Sequence, residues 1–188
     1  MAIKIYIDQG HNPVNPNAGA EGNGLREQDI VYTIGQRLAT LLRNNGNFEV
    51  RLSRPTPTTQ LGTSNTTSLA ARVNDANSWG ANYFISLHTN ASDIPTASGS
   101  EAFVYSRASQ AFVLAQYILS RLNQRTGLTN RGVFARPGLY ILRRTQMPSV
   151  LVELGFITNY NDAMLMSTQP GLFAEGIYYG LLEYLGLL

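Results

Sequence analysis

The 188-residue sequence contains no cysteine, which excludes disulfide bridges, thiolate zinc sites and a cysteine nucleophile. Charged residues make up only 14% of the chain, so the surface is expected to be rich in uncharged polar side chains. The net charge is only +2 and Lys and Arg form no block, so we expect no nucleic-acid partner. Histidine is also scarce: the chain has two, His11 and His88.

Long apolar runs are also missing. The C-terminal stretch LFAEGIYYGLLEYLGLL is interrupted by Glu175 and Glu183 and is short for a bilayer, so it predicts a helix packed on the core and no membrane partner. Residues 1–8 have one lysine and no long apolar segment, which is not the pattern of a signal peptide. A 44% hydrophobic composition without repeats or linkers predicts a single domain, residues 1–188, which we expect to be monomeric.

Predicted strands and helices alternate along the chain. Apolar β-rich runs predict strands at 3–7, 48–52, 83–87, 102–105, 139–142 and 150–152. Helical spacing of apolar residues predicts helices at 26–45, 68–78, 109–124 and 173–185, with polar loops at 9–24 and 54–67. This alternation predicts an α/β sandwich built on a largely parallel sheet.

Three of the predicted strands run directly into a residue that carries chemistry. His11 follows IKIYID, His88 follows YFISL, and Glu153 follows SVLV. Sites in open α/β sheets collect beyond the carboxyl ends of the strands, and neutral imidazole is the commonest metal ligand. The pattern therefore favours a metal site with a carboxylate base beside it. Two alternatives remain open: the histidines as loop hydrogen-bonding groups, and Glu153 as half of a structural salt bridge.

Other acidic residues have structural explanations of their own. Glu27 and Asp29 lie in LREQD at the start of a predicted helix, where the helix dipole favours negative charge. Asp8 is placed to cap or orient the loop that carries His11. From the residues alone, the role of Glu27 stays open.

Five separated segments occur in an order that identifies a family. They are IDQGHN, GLREQD, LAARVNDANSWGANYFISLHTNAS, RGV and PSVLVELGFITNYND. Together they resemble the zinc-dependent N-acetylmuramoyl-L-alanine amidases of the Amidase_3 family, which include bacterial autolysins, sporulation amidases and phage endolysin catalytic domains. The resemblance extends over essentially the whole chain, from the first strand to the last helix.

The resemblance implies a ligand set, a fold and a reaction. His11, Glu27 and His88 are expected to hold one Zn²⁺ ion, and Glu153 is expected to be the catalytic carboxylate. Two histidines with one carboxylate are a ligand set of catalytic rather than structural zinc sites. The implied fold is a three-layer sandwich: a mixed, mostly parallel sheet of about six strands with helices on both faces. The implied substrate is peptidoglycan, cut at the amide between the lactyl group of N-acetylmuramic acid and L-alanine.

The chain departs from the family pattern at two positions of the first loop. The family usually reads DPGHGG, whereas this chain has Gln9 for the proline and Asn12 for the glycine after the histidine. Neither position supplies a ligand, so the departures bear on loop conformation and substrate contacts. Asn90, just beyond His88 as in the family, is open to two interpretations, a turn cap or a substrate contact.

Two other functions remain as alternatives. One is a catalytically silent wall-binding module on the same fold, and the other is a zinc amidohydrolase of a different amide. On the favoured interpretation the protein acts on the bacterial cell wall. Release by lysis, action in a mother cell, or a longer parent chain would then bring it to its substrate.

Overall fold

The computed structural model describes residues 2–188 and has eight strands and six helices in that range. The strands are β1 Ile3–Gln9, β2 Glu21–Gly22, β3 Leu25–Arg26, β4 Phe48–Leu52, β5 Tyr83–Asn90, β6 Ser100–Val104, β7 Asn130–Ala135 and β8 Ser149–Phe156. The helices are α1 Glu27–Asn45, α2 Asn65–Trp79, α3 Gln110–Thr126, α4 Tyr140–Arg144, α5 Tyr160–Thr168 and α6 Pro170–Tyr184.

Six of the strands form one sheet in the order β4-β1-β5-β8-β6-β7. The pairs β1–β4, β1–β5 and β5–β8 are parallel, β6 is antiparallel to β8, and β7 is parallel to β6. The predicted mixed, mostly parallel sheet of six strands is therefore confirmed. Strands β2 and β3 form a separate antiparallel hairpin.

Helices cover both faces of the sheet. Side chains alternate between the two faces along each strand, and apolar residues on both faces are buried against helices. In β1, Ile5 and Ile7 pack into the larger hydrophobic cluster, which contains the buried residues of α1, α3 and α6. Tyr6 between them faces the smaller cluster, which contains buried residues of α2 and α4. The predicted three-layer sandwich is confirmed. No helix within residues 2–188 is both long enough and apolar enough to cross a membrane.

The four predicted helices are present with ends shifted by a few residues. Helix α2 begins earlier than expected, because Ser64 and Thr67 form a reciprocal capping box at its N-terminus. Helix α1 ends at Asn45 and is capped by Gly46, whose φ of 78° lies in the left-handed region that glycine adopts without strain.

The predicted strand at 139–142 is wrong, because Leu139 is the N-cap of the short helix α4 and residues 140–142 are its first three residues. Leu139 and Arg143 close a helical hydrogen bond, and Ile141 and Leu142 are buried in the smaller cluster. A short apolar run does not distinguish a buried strand from a buried helical turn by its periodicity.

Several elements were not predicted. Strand β7 lies at the sheet edge, where its residues are mostly exposed or half-buried and carry little apolar alternation. The hairpin β2–β3 lies in the predicted loop at 9–24, and α5 is a nine-residue helix capped by the Asn159 side chain. Strands β5 and β8 also continue through His88 and Glu153, which we expected to follow the strands.

Helices α3 and α6 pack so closely that two glycines of α6 face the backbone of α3. A Cβ on Gly176 would lie 2.5 Å from the Leu122 Cα, and a Cβ on Gly180 would lie 2.6 Å from the Ile118 Cα. Backbone atoms cannot move aside as a flexible side-chain end can. This interface therefore depends on the absence of side chains at both positions.

We predict that Gly180→Ala lowers the free energy of unfolding by about 1–3 kcal/mol, the usual cost of overpacking a filled interface. Gly171→Ala in the same helix is the matched control, since the nearest atom to its added Cβ lies 3.9 Å away. The control should be unchanged or more stable by up to about 1 kcal/mol, because alanine is the better helix former. Urea unfolding measures both variants, and equal stabilities would contradict the prediction.

Candidate metal centre and active site

His11, Glu27 and His88 converge from three different elements. His11 lies on the loop after β1, Glu27 is the first residue of α1, and His88 lies in β5. One ligand atom from each residue lies within 4.8 Å of the other two. The two imidazole rings meet edge to face, with 4.8 Å between their centroids. The structure therefore brings together all three sequence-predicted ligands.

Glu27 is the most restrained member of this cluster. Its Oε1 lies 3.2 Å from His11 Nε2 and 3.1 Å from His88 Nδ1, and it accepts the Thr89 backbone N–H at 2.9 Å. Its Oε2 accepts the Ala20 backbone N–H at 2.9 Å. Burial by itself raises the pKa of Glu27, but hydrogen bonds from the two histidines outweigh it and hold the pKa well below its usual range. The carboxylate is therefore ionised at neutral pH.

Glycines allow the three ligands to approach one another. A Cβ on Gly10 would lie 2.5 Å from His88 Cε1, and a Cβ on Gly19 would lie 2.9 Å from the Glu27 Cβ. His11 itself has a φ of 65°, which is uncommon for a residue with a side chain. The glycine-rich loop thus wraps tightly around the cluster.

The donor set fits a zinc ion. It offers two imidazoles and one carboxylate, which are common zinc ligands. His11 Nδ1 is buried and has no hydrogen-bond partner among the described residues. The His11 and His88 side chains keep 21% and 18% of their surface exposed, against 4% for Glu27, so the cluster is open to solvent from the histidine side.

Glu153 lies next to the cluster in the sheet. Strand β8 aligns its Cα with that of His88 in β5, and β6 aligns Glu101 with it on the other side. Its Oε2 is buried without a hydrogen-bond partner, and no Lys or Arg in residues 2–188 forms an ion pair with it. Burial raises the pKa of Glu153 to about 8, and the negative charges of Glu27 and Glu101 add to the effect. A structural salt bridge, the alternative explanation of this residue, is absent from the described part of the chain.

The remaining acidic and amide candidates contact their own chain. Asp29 forms an exposed ion pair with Arg26 at 2.7 Å. Asp8 is buried and accepts a hydrogen bond from Arg72 at 2.6 Å. Asn90 donates to Glu101 Oε1 at 2.6 Å.

Sequence reasoning missed two residues of this region, Arg72 and Glu101. Arg72 is fully buried in α2, and Glu101 lies beside Glu153 in β6. The available signal was a charged residue in an otherwise apolar or small-residue segment, LAARV for the first and SEAFV for the second.

Curated proteins similar to this chain include bacterial amidases. LytC, an N-acetylmuramoyl-L-alanine amidase of Bacillus subtilis (strain 168), is 36% identical over 184 residues, covering 96% of this chain and 35% of LytC. CwlM, an N-acetylmuramoyl-L-alanine amidase of Bacillus licheniformis, is 34% identical over 163 residues, covering 86% of this chain and 59% of CwlM. The chain thus spans between about a third and three fifths of the length of these two relatives.

The same likeness appears in three dimensions. The CwlD amidase of Clostridioides difficile, solved in complex with the GerS lipoprotein, superposes with a TM-score of 0.90 at 26% identity and covers 99% of this chain and 100% of CwlD. The family model described as N-acetylmuramoyl-L-alanine amidase matches residues 5–183, nearly the whole chain. On these grounds, and with the expected cluster in place, the chain belongs to the Amidase_3 family of N-acetylmuramoyl-L-alanine amidases.

Proposed function

We propose that this chain is a zinc-dependent peptidoglycan hydrolase that cleaves the amide between the lactyl group of N-acetylmuramic acid and L-alanine. Family membership supports the substrate and the bond. The observation that carries the proposal is the convergence of His11, Glu27 and His88 within 4.8 Å, beside an unpartnered carboxylate oxygen of Glu153.

His11, Glu27 and His88 would hold the single Zn²⁺ ion. When bound, such an ion supplies a Lewis acid that polarises a carbonyl and lowers the pKa of a bound water. Glu27 contributes the negative charge, since its low pKa keeps it ionised. The amide N–H groups of Ala20 and Thr89 fix the orientation of its two oxygens.

Glu153 is the proposed general base and acid. Its Oε2 accepts a proton from the attacking water and then delivers it to the nitrogen of the departing L-alanine. The water oxygen bonds to the carbonyl carbon and the C–N bond breaks, which leaves a lactyl carboxylate and an α-ammonium group that has taken up both protons of the water, the first of them through Glu153. A carboxyl whose pKa is raised by burial suits both halves of this task, because proton transfer is most efficient when the catalytic pKa lies near the working pH.

The bacterial cell wall is the proposed place of action, because it contains the bond to be cut. We further propose that the chain acts as a monomer and forms a single domain. In contrast to the monomer proposed for this chain, the related CwlD amidase was solved in complex with the GerS lipoprotein.

Product analysis on purified cell walls tests the reaction class. The amidase should release free amino groups on alanine without new reducing sugar ends, and a chelator should abolish the release. New reducing ends would indicate a glycosidase, and wall binding without either product would indicate a binding module. Activity on small amides but not on walls would favour a different amidohydrolase.

We predict that Glu153→Gln lowers turnover by at least ~100-fold, the usual contribution of a positioned general base. The amide has the size of the carboxylate but cannot accept the proton, and it should leave the metal content unchanged. Glu49→Gln, at an exposed position of β4, is the matched control and should keep full activity. Initial rates on walls and metal analysis measure both properties; an active Glu153→Gln protein would remove Glu153 from the mechanism.

We predict that His11→Ala and His88→Ala each lose the metal. Each substitution removes one of three ligands, and the two that remain are expected to hold zinc too weakly to survive desalting. Elemental analysis after desalting measures the zinc-to-protein ratio, and Glu153→Gln provides the metal-replete comparison. One zinc per chain in either histidine variant would contradict the ligand assignment.

A further inference from the structure

The loop that carries His11 is held in place by a buried hydrogen-bond network centred on Arg72 of α2. We infer that Arg72 and Asn12 are positioning residues, which keep His11 in the orientation that the metal requires. This inference rests on the proposed function, since it concerns the affinity of the same metal site. Neither residue belongs to the cluster of His11, Glu27 and His88.

The backbone conformation of His11 needs such support. Its φ of 65° lies in the left-handed region, where a side chain at Cβ is disfavoured. Residues in this region persist when surrounding contacts impose the conformation. The carbonyl oxygen of His11 accepts a hydrogen bond from Arg72 Nη2 at 2.6 Å, which is such a contact.

Arg72 binds three points of the segment that leads to the ligand. Besides the His11 carbonyl, its Nη1 donates to Asp8 Oδ1 and to the Gln9 carbonyl, both at 2.6 Å. The guanidinium is 1% exposed, as is Asp8. Burial by itself raises the pKa of Asp8, but Arg72 and a hydrogen bond from Ser86 hold that pKa below its usual range, so the ion pair is intact at neutral pH.

The same network reaches the strand that carries the second histidine. Asp8 Oδ2 accepts a hydrogen bond from Ser86 Oγ at 2.7 Å, and Ser86 lies two residues before His88 in β5. The guanidinium therefore ties the loop of His11 to the strand of His88 through one carboxylate. A planar guanidinium donates in several directions at once, which a lysine ammonium on a flexible stem does not reproduce.

Asn12, the residue after His11, joins the loop to residues 16 and 61. Its side chain is fully buried, and Nδ2 donates to the carbonyls of Pro16 at 2.8 Å and Leu61 at 2.9 Å. Its Oδ1 accepts the Leu61 backbone N–H at 3.1 Å and Arg72 Nη2 at 3.3 Å. All four hydrogen-bonding positions of the amide are thus used.

The contacts of the Asn12 side chain belong to this chain rather than to the family pattern. The family usually has glycine where this chain has Asn12, and glycine cannot make these four contacts. Gln9, the other departure, accepts the Arg54 backbone N–H at 3.0 Å and donates to the Tyr32 carbonyl at 3.3 Å. The two side chains therefore join the end of β1 and the loop that carries His11 to neighbouring segments.

Loss of the contacts that hold this loop is expected to weaken metal binding more than it destabilises the fold. Partners that orient a metal ligand typically contribute about 10–100-fold in metal affinity. If the His11 backbone relaxes from its left-handed conformation, the imidazole moves away from Glu27 and His88, while the sheet and its two hydrophobic clusters remain. We therefore expect lower zinc affinity in a protein that is still folded.

The first test is Arg72→Lys, which keeps the positive charge but not the divided set of hydrogen bonds. Zinc affinity is measured by competition with a chromophoric chelator, and folding by circular dichroism of the metal-free protein. We expect about 10–100-fold weaker zinc binding with a native spectrum. Arg51→Lys is the matched control, because Arg51 forms an exposed ion pair with Asp75; it should bind zinc within about twofold of the wild type.

The second test is Asn12→Ala, with Asn77→Ala as its control. Asn77 also uses both ends of its amide on backbone groups, donating to the Arg144 carbonyl and accepting the Gln146 N–H, but these contacts do not involve the loop that carries His11. We expect about tenfold weaker zinc binding for Asn12→Ala and no change for Asn77→Ala. Each variant is measured below the midpoint of its own thermal unfolding.

The outcomes separate this inference from the proposed function. A wild-type protein that binds no zinc would overturn the metal site itself. A wild type that binds zinc, with folded Arg72→Lys and Asn12→Ala proteins of equal affinity, would overturn the positioning role alone. Equal losses in the controls would do the same, because they would reflect general stability. If Arg72→Lys does not fold, Asn12→Ala decides.

Discussion

The buried carboxylate of Glu27 accepts backbone N–H groups from Ala20 and Thr89 while both imidazoles lie within 3.2 Å of its Oε1. A carboxylate removed from water requires such partners, because its charge is costly in a low dielectric. Here the partners come from the glycine-rich loop and the end of β5, so the same contacts that satisfy the charge also place the two histidines. Folding and site assembly are therefore coupled at this residue.

The sheet supplies the second constraint. Since β5 and β8 are parallel neighbours in fixed register, His88 and Glu153 are placed side by side, and the antiparallel strand β6 adds Glu101. Burial raises the pKa of Glu153, whose Oε2 lacks a hydrogen-bond partner, and the negative charges of Glu27 and Glu101 raise it further. The same geometry thus gives two carboxylates opposite properties: Glu27 is held ionised, and Glu153 readily takes up a proton. The proposed metal binding by Glu27 and proton transfer by Glu153 would use this difference.

Arg72 shows how a residue far from the reacting atoms can contribute to a site. Its guanidinium contacts the Asp8 carboxylate and the backbone carbonyls of Gln9 and His11, so one buried group holds both the end of β1 and the loop that follows. A buried arginine needs partners for its donors, and here both terminal nitrogens have them, whereas Nε is buried without a partner among the described residues. The departures at Gln9 and Asn12 extend this network, which explains how the loop keeps its shape without the proline and glycine of the family pattern.

Much of the fold could be predicted from the sequence, because the central strands and main helices bury regular apolar faces whose spacing is visible in the chain. The edge strand β7 could not be predicted, because it is half-exposed and lacks a regular apolar face. Helix α4 could not be predicted either, because five residues are too few for periodicity to distinguish a helix from a strand. For the site, residues alone indicated His11, His88 and Glu153, whereas Glu27 was identified only through the family resemblance.

The sequence by itself determined the residue types: two histidines, a carboxylate at a helix start and a carboxylate in an apolar strand. Only the tertiary structure decided that they meet, because Glu27 and His88 are 61 residues apart and no local spacing encodes their distance. It also decided the roles of Arg72 and Asn12, since the hydrogen bonds that define them join segments distant in the chain.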